Sequence, residues 1–315
     1  MSKKNLAWFF PSFDQREKQS LSRLVDSNFL NEGKLTRKFE KLISNFLNIK
    51  YAVAVTSGTS ALTLSLLANG IGKGDEVIIP NFTFIASANA VMLSGAKPVF
   101  VDINSENFTI DVDKVKLALN EKVKAIISVD VNGRGCDYDR LEKICKKNNL
   151  KLICDSAEAL GSKFKKKYLG TYGHCGCFSF SAAKTISTGQ GGMIVTNNQK
   201  IFSRLLELKD QGRPKRGTGG NDFHPSLGFN FKYTDIQACV GIEQFKRLKN
   251  RIKKFNLRDN FYNEYLKNID EVKIPSKRDE EVLQWYDILI KSKKKKVVKT
   301  FGKKKYRFQR ILVSS

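Results

Sequence analysis

Short apolar runs alternate with helix-length segments along the first two thirds of the chain. Seven runs are rich in apolar and β-branched residues and have the length of strands: residues 52–56, 76–80, 97–103, 124–131, 151–155, 177–181 and 193–196. Because apolar residues follow one another in these runs, both faces of each strand should be buried, as in a parallel sheet covered by helices. The pattern predicts an α/β domain with a mostly parallel sheet of about seven strands flanked by helices.

Helices are predicted between the earlier strands, over residues 59–69, 84–94, 111–120 and 137–147. The first two end before glycines, and the last two open at Asp111 and Asp137, which are favourable N-cap residues. A longer helical pattern covers residues 233–266. We therefore expect a large domain over residues 1–245, with an N-terminal helical segment, and a small C-terminal domain over residues 246–315.

The composition is that of a globular protein. The chain of 315 residues is 41% hydrophobic. No apolar stretch approaches the roughly 20 residues that cross a bilayer, and the N-terminus lacks the apolar segment of a secretory signal. The six cysteines are scattered without the spacing of zinc ligands, so free thiols in a reducing compartment are expected. These features predict a cytoplasmic protein with no membrane association and no metal site.

The formal net charge of +25 indicates an anionic partner, such as nucleic acid, a membrane surface or a charged metabolite. Eleven lysines and arginines, with no acidic residue, lie between Lys291 and Arg310, and most of the remainder occurs in pairs and triplets. Single-strand binders interleave aromatic and basic residues, and no such stripe is present. A basic nucleic-acid-binding protein is therefore an alternative, and we expect no nucleic-acid partner.

Three residues in the middle of the chain have the chemistry of a pyridoxal phosphate (PLP) site. Asp155 ends one predicted strand, Ser179 lies in the next, and Lys184 follows five residues later. Ligands of open α/β sheets bind at the carboxyl ends of the strands. A lysine can bond to the cofactor aldehyde, a carboxylate can keep the ring nitrogen protonated, and a hydroxyl can anchor the phosphate. The alternative is a surface lysine, but Lys184 lies between an apolar strand and a glycine-rich loop.

Two other strand ends carry residues that suit the same cofactor. In VTSGTSAL (55–62) a strand leads through Gly58 and Thr59 into a helix, whose first N–H groups can bind a phosphate. The alternative there is a simple helix cap. In PNFTFIASANAV (80–91), Phe84 lies at the mouth of the sheet, where an aromatic ring can stack on a flat cofactor. The alternative is a phenylalanine of the core.

Five stretches together carry a family resemblance: FEKLISNFLNIKYAVAVTSGTSAL, PNFTFIASANAV, DSAEALGSKFKKKYLGTYGHCGCFSFSAAKTISTGQGGMIVT, LKDQGR and GFNFKYTDIQACVGIEQ. Over roughly residues 25–266 the chain resembles the DegT/DnrJ/EryC-type PLP-dependent nucleotide-sugar aminotransferases, which have an aspartate-aminotransferase-like fold. The resemblance implies that Lys184 is the Schiff-base lysine and proton shuttle, and that Asp155 pairs with the ring nitrogen. Glu158, commonly glutamine in the family, is implied to contact the cofactor near its phenolic oxygen.

The resemblance also implies the remaining site residues and the reaction. Gly58, Thr59 and Ser179 match the phosphate cradle, and Phe84 matches the stacking aromatic residue. Asn230 matches an asparagine that reaches the neighbouring subunit's cofactor phosphate, which implies a homodimer with a shared active site. The implied reaction is ping-pong transamination through Lys184, from an amino donor, usually L-glutamate, to a nucleotide-linked keto-sugar in amino-sugar and surface-polysaccharide biosynthesis. Family members with histidine at the lysine position catalyse dehydration, and Lys184 argues against that branch.

Two departures from the family pattern carry expectations of their own. Asn132 and Arg134 stand where many relatives have an HLYG-like segment, and we expect them to alter the substrate mouth. The C-terminal stretch begins in family style at WYDILI and continues as a lysine-rich tail. One hypothesis is a truncated or frameshifted product with an incomplete small domain. The corresponding alternative function is a PLP-binding relative with weakened or no catalysis.

Overall fold

The structure is a computed structural model that describes residues 12–214 and 223–290. The helices of the described ranges are α1 (Gln15–Asp26), α2 (Lys34–Leu47), α3 (Gly58–Ala68), α4 (Ala86–Leu93), α5 (Val112–Leu117), α6 (Tyr138–Lys147), α7 (Gln199–Lys209), α8 (Asp235–Lys246) and α9 (Leu248–Leu266), with a short 3₁₀ turn at Val131–Gly133. The strands there are β1 (Tyr51–Val55), β2 (Glu76–Pro80), β3 (Lys97–Val101), β4 (Val123–Val129), β5 (Lys151–Asp155), β6 (Lys163–Phe164), β7 (Lys167–Tyr168), β8 (Cys175–Ser179), β9 (Gly192–Thr196), β10 (Val272–Lys273) and β11 (Leu289–Ile290).

Seven of these strands form one sheet in the order β1-β9-β8-β5-β4-β2-β3. Neighbours from β3 across to β8 run parallel, whereas β9 pairs antiparallel with both β8 and β1. All seven apolar runs of the sequence are strands of this sheet, so the prediction of a mostly parallel α/β sheet is confirmed. Two small two-stranded ribbons, β6–β7 and β10–β11, lie outside it.

Helices cover both faces of the sheet, which explains the continuous apolar runs. On β2, Val77 and Ile79 belong to the cluster formed with α3, α4 and α7. Ile78 lies between them in sequence and belongs to the opposite cluster, with α5 and α6. A third cluster packs α2 and α8 on β1, β8 and β9 around Phe39. The domain therefore has three layers, with all of these strand residues buried.

The predicted helix starts agree with the structure at two caps. The Asp111 side chain accepts N–H groups at the start of α5, and Asp137 accepts one at the start of α6. The helix predicted over residues 84–94 is shorter in the structure, where α4 covers Ala86–Leu93. The long helical pattern divides at Arg247 into α8 and α9. The sequence patterns did not locate the bounds of α1 and α2, and they missed α7.

The described part of residues 246–290 returns to the sheet domain. We call residues 276–287 the C-terminal strap. Its Val282 N–H donates to Ser162 Oγ (2.9 Å), and its Glu280 carbonyl accepts the Lys163 N–H (2.9 Å). The proposed division into domains at residue 245 remains a prediction. The lysine-rich tail and the hypothesis of an incomplete small domain concern residues 291–315, which lie outside the described residues.

Within the described ranges, no helix combines the length and apolar character that a membrane crossing requires. All six cysteines are buried free thiols, as expected. Among residues 12–214 and 223–290, no group of three or more histidine, cysteine, aspartate or glutamate side chains is arranged to hold a metal ion.

Candidate active site

The candidate residues gather where the parallel strands end. Asp155 is the last residue of β5, and Ser179 is the last residue of β8. Gly58 opens α3 shortly after β1, and Phe84 lies between β2 and α4. Since the carboxyl ends of parallel strands meet at one edge of a sheet, four separate loops supply one site.

The Asp155 carboxylate is buried and is held by a hydroxyl relay. Only 6% of Asp155 is exposed, and its Oδ2 accepts a hydrogen bond of 2.8 Å from Ser87 Oγ on α4. Ser87 Oγ in turn lies 2.7 Å from the Oγ1 atom of Thr83, the residue that precedes Phe84. Burial raises the pKa of Asp155, and the Ser87 hydrogen bond opposes that shift. A cationic partner placed here would stabilise the ionised carboxylate.

A second buried carboxyl lies behind the first. Asp130 follows β4, and its oxygens accept hydrogen bonds from Ser156 Oγ (2.5 Å) and Tyr138 Oη (2.7 Å). Burial raises the pKa of Asp130 to about 7, with a smaller contribution from the charge of Asp155. Sequence reasoning did not assign Asp130 a role, because its partners lie in separate segments, after β5 and at the start of α6.

Gly58 and Ser179 form one wall of a narrow cradle. A Cβ atom on Gly58 would lie 3.0 Å from the Ser179 Cβ, so a larger residue at the start of α3 would crowd the end of β8. The Ser57 side chain caps the N–H of Ser60 and leaves the N–H groups of Gly58 and Thr59 at the open start of α3. Backbone donors at a helix start, with a hydroxyl alongside, suit a phosphate.

Lys184 lies on the loop between β8 and β9, with 15% of its side chain exposed. Its Nζ is 3.1 Å from Glu158 Oε1. The carbonyls on either side of Lys184 are both held from the C-terminal region. Ala183 O accepts from Gln284 Nε2 (2.9 Å), and Thr185 O accepts from Arg251 Nη1 (2.8 Å). These contacts fix the backbone that carries the amine.

Asn132 connects Glu158 to the C-terminal strap. The Asn132 N–H donates to Glu158 Oε2 (2.8 Å), and its amide side chain exchanges two hydrogen bonds with the backbone of Trp285 (2.8 and 2.9 Å). Asn132 has a φ of 53°, in the left-handed region that asparagine tolerates better than most residues. The Lys184 Nζ lies 5.3 Å from the centre of the Trp285 ring. Trp285 is thus a site residue that the sequence did not reveal.

The predictions for Phe84, Asn230 and Arg134 have different outcomes. Phe84 is 72% exposed, so the reading as a core residue is wrong and an aromatic ring stands at the mouth of the sheet. Asn230 is exposed and pairs with Asp210 in an isolated bridge. No hydrogen bond among the described residues joins its side chain to the other candidates. Arg134 is fully buried and forms two hydrogen bonds with Asp287 (2.6 and 2.8 Å), so it does not line the substrate mouth as expected.

The residues present fit PLP. The cofactor would need a reactive amine, an acid for its ring nitrogen and donors for its phosphate, and Lys184, Asp155 and the start of α3 offer these groups at one sheet edge. Gly58 has no side chain, so the phosphate cradle beside Ser179 stays open. The charges of Lys184 and Glu158 act on the titration of Asp155, which places the three groups in one electrostatic environment.

Comparison with known proteins agrees with this arrangement. The family model described as "DegT/DnrJ/EryC1/StrS aminotransferase family" matches residues 11–310. The chain is 37% identical to the GDP-perosamine synthase of Escherichia coli O157:H7, across 88% of this chain and 74% of that enzyme. It also resembles the solved PseC aminotransferase of Helicobacter pylori, which is involved in the biosynthesis of pseudoaminic acid. That structure has a TM-score of 0.89 and 30% identity, with 96% of this chain and 83% of the other covered.

A third relative carries the cofactor in its crystal structure. The NtdA protein of Bacillus subtilis, solved with bound PMP (pyridoxamine phosphate, the amino form of PLP), has a TM-score of 0.81 and 28% identity. The match covers 88% of this chain and 63% of that one. A PLP-type cofactor thus occurs on this fold in a protein to which the chain is similar.

Proposed function

The chain belongs to the DegT/DnrJ/EryC1/StrS aminotransferase family, and we propose that it transfers an amino group from L-glutamate to a nucleotide-linked keto-sugar. As a family member it is a PLP-dependent sugar aminotransferase of nucleotide-sugar metabolism. The observation that carries the proposal is the convergence of Lys184, Glu158 and Asp155 at the edge of the sheet where a cofactor ring would lie. The identities of the donor and the acceptor are the proposed part.

When bound, PLP supplies a carbonyl carbon that can receive an amine and a ring that withdraws electrons from it. Lys184 provides the amine that holds the cofactor and, once released, a base that moves a proton between carbon atoms. Glu158 keeps the Lys184 Nζ at 3.1 Å and so fixes where that proton is taken up. The backbone anchors at Ala183 and Thr185 keep the amine at one position.

Asp155 would hold the ring nitrogen of the bound cofactor in its protonated form. Burial disfavours an isolated carboxylate, so the ionised acid gains when a cationic ring nitrogen approaches it. The Ser87 hydroxyl donates to Oδ2 and the Ala157 N–H donates to Oδ1 (3.3 Å), so both oxygens of the carboxylate are held in place. Phe84, at the mouth of the sheet, would cover one face of the ring.

We propose that the amino group passes in two half-reactions. In the first, the bound cofactor would take up the amino group of glutamate, which would leave as 2-oxoglutarate, and in the second the keto-sugar would receive that group, with Lys184 moving the proton in both. A GDP-linked keto-sugar is the first acceptor to test, because a GDP-perosamine synthase is among the relatives. The high positive charge of the chain suits a diphosphate substrate.

The working unit is proposed to be a homodimer in which Asn230 completes the partner's phosphate cradle. Asn230 is exposed, and its segment also exposes Leu227 and Phe223. Contiguous exposed apolar patches mark surfaces that another chain covers, and we propose that these two side chains contribute to such a patch. The bridge between Val55 and Lys232 holds the segment beside the strand that leads to Gly58.

Visible absorbance tests the proposal directly. PLP added to the protein should give a visible band that Lys184→Ala abolishes, and L-glutamate should convert the band to that of pyridoxamine phosphate. A keto-sugar nucleotide should then restore the original band. A PLP band that glutamate leaves unchanged would indicate the weakened, cofactor-binding relative. No band together with salt-sensitive nucleic-acid binding would indicate the basic binding protein and overturn the proposal.

A further inference from the structure

Trp285 stands beside the reactive amine, although it is 101 positions from Lys184 in sequence. The Lys184 Nζ lies 5.3 Å from the centre of its ring, and Glu158 holds the same nitrogen from another side at 3.1 Å. The indole is partly exposed. One of its neighbours on the strap, Gln284, is buried and bonded to the loop of Lys184.

The backbone of Trp285 is held at several points. Its N–H donates to Asn132 Oδ1 (2.8 Å), and its carbonyl accepts from Asn132 Nδ2 (2.9 Å). Gln284, which precedes Trp285 in sequence, donates to Ala183 O. Asp287, two residues after Trp285, is hydrogen-bonded to the buried Arg134. A side chain whose backbone is fixed in this way is placed before any ligand arrives, which lowers the cost of ordering it on binding.

A substrate carbon that exchanges a proton with Lys184 must come within about 3 Å of Nζ. A carbon that approaches Nζ from the side of Trp285 comes within contact distance of the indole, since the ring centre is only 5.3 Å from Nζ. The flanking atoms of glutamate include carboxylates, which the negative face of an aromatic ring does not favour. The atoms next to the carbonyl of a keto-sugar are ring carbons whose C–H bonds present a weakly positive, apolar face.

We propose that Trp285 is a specificity residue for the acceptor, with its indole face packed against the sugar ring beside the reacting carbon. The inference rests on the proposed function and deepens it, since it assigns one wall of the acceptor site. Asn132 acts through Trp285 as a positioning residue. The amino donor uses the same amine but gains little from the indole.

The two half-reactions separate this role from a general structural one. Trp285→Ala should raise the KM for the nucleotide keto-sugar by about tenfold or more, as expected when an apolar contact is lost from a pocket. The glutamate half-reaction should stay within about twofold, and Trp285→Phe should recover most of the acceptor affinity. Tyr286→Ala is the matched control, because Tyr286 lies on the same strap but stacks on Tyr262. Equal losses in both half-reactions for Trp285→Ala would overturn the inference.

Fluorescence gives a readout that does not depend on turnover. The chain has two tryptophans, so Trp8→Phe leaves Trp285 as the single indole emitter. PLP bound at Lys184 should strongly quench this emission, and sodium borohydride should make the quenching permanent. A visible PLP band without quenching would place Trp285 away from the cofactor and overturn the inference, while the proposed function would stand. Absence of the band itself would overturn both.

Discussion

Ser87→Ala tests how far the hydroxyl relay supports the cofactor acid. Ser87 is fully buried, and its hydroxyl is 2.8 Å from Asp155 Oδ2. A hydrogen bond to a charged group contributes about 1.5–3 kcal/mol, and little water can replace the lost donor here. Each 1.4 kcal/mol corresponds to about a factor of ten. If the ionised Asp155 holds the cofactor ring, the dissociation constant of PLP should rise by about 10- to 100-fold.

The measurement is a PLP titration followed by visible absorbance, with near-ultraviolet circular dichroism to confirm that each variant is folded. Thr83→Val is the matched control, since it removes the outer partner at 2.7 Å and leaves the bond between Ser87 and Asp155 intact. Its effect should be several-fold smaller. Wild-type affinity in folded Ser87→Ala protein would refute the reasoning, because it would show that the relay does not stabilise the acid used by the cofactor.

Three further outcomes are expected. Lys184→Ala and Asn230→Ala chains should each be inactive alone, and mixed refolding should restore activity if partners share a site; no recovery would contradict the shared dimer. Asp130 has its pKa raised to about 7, so the folded state binds an extra proton below that pH and loses stability as pH rises from 5 to 8. In Asp130→Asn, the difference in unfolding free energy between pH 5 and pH 8, measured by urea unfolding, should be smaller by about 3 kcal/mol. An unchanged difference would contradict this assignment of the proton to Asp130. Asp287→Asn should cost about 3 kcal/mol in unfolding free energy, because Arg134 is 1% exposed and would keep a buried charge without its partner; a cost under about 1 kcal/mol would refute its anchoring role.

The sheet could be predicted because its strands are continuous apolar runs. Each run can be recognised from its own residues, without knowing which strands pair with it. The caps at Asp111 and Asp137 were equally local, since the cap side chain and the N–H groups that it binds lie within three residues. Helix α7 had local signals that the patterns above left unused, since it opens at an Asn198 cap and Gly212 follows its C-terminal end. The antiparallel placement of β9 depends on the connection through the lysine loop, which has no sequence signature of direction.

In the site, the residues that were predicted are those with evident chemistry at strand ends. Ser87 was not among them, because a serine in the middle of ASANAV has no local feature that points to Asp155, 68 positions away. Trp285 was noticed only as part of a family-like stretch and Asn132 only as a departure from the family pattern, since their contact with each other spans 153 positions. Arg134 was misplaced for a related reason. Its position in place of the HLYG-like family segment suggested an effect on the substrate mouth, whereas the ion pair with Asp287 holds it in the interior.

The antiparallel pairing of β8 with β9 has an evolutionary consequence for the reactive lysine. The loop that carries Lys184 leaves the sheet at Ser179 and returns at Gly192, on a neighbouring strand, and the Phe180 N–H closes it by donating to Gly191 O (2.8 Å). A point substitution at position 184 would change the chemistry and leave this hairpin scaffold intact. An insertion or deletion within the loop would instead move the amine relative to Asp155. New activities on this fold should therefore arise by exchange of side chains here, with loop length held constant.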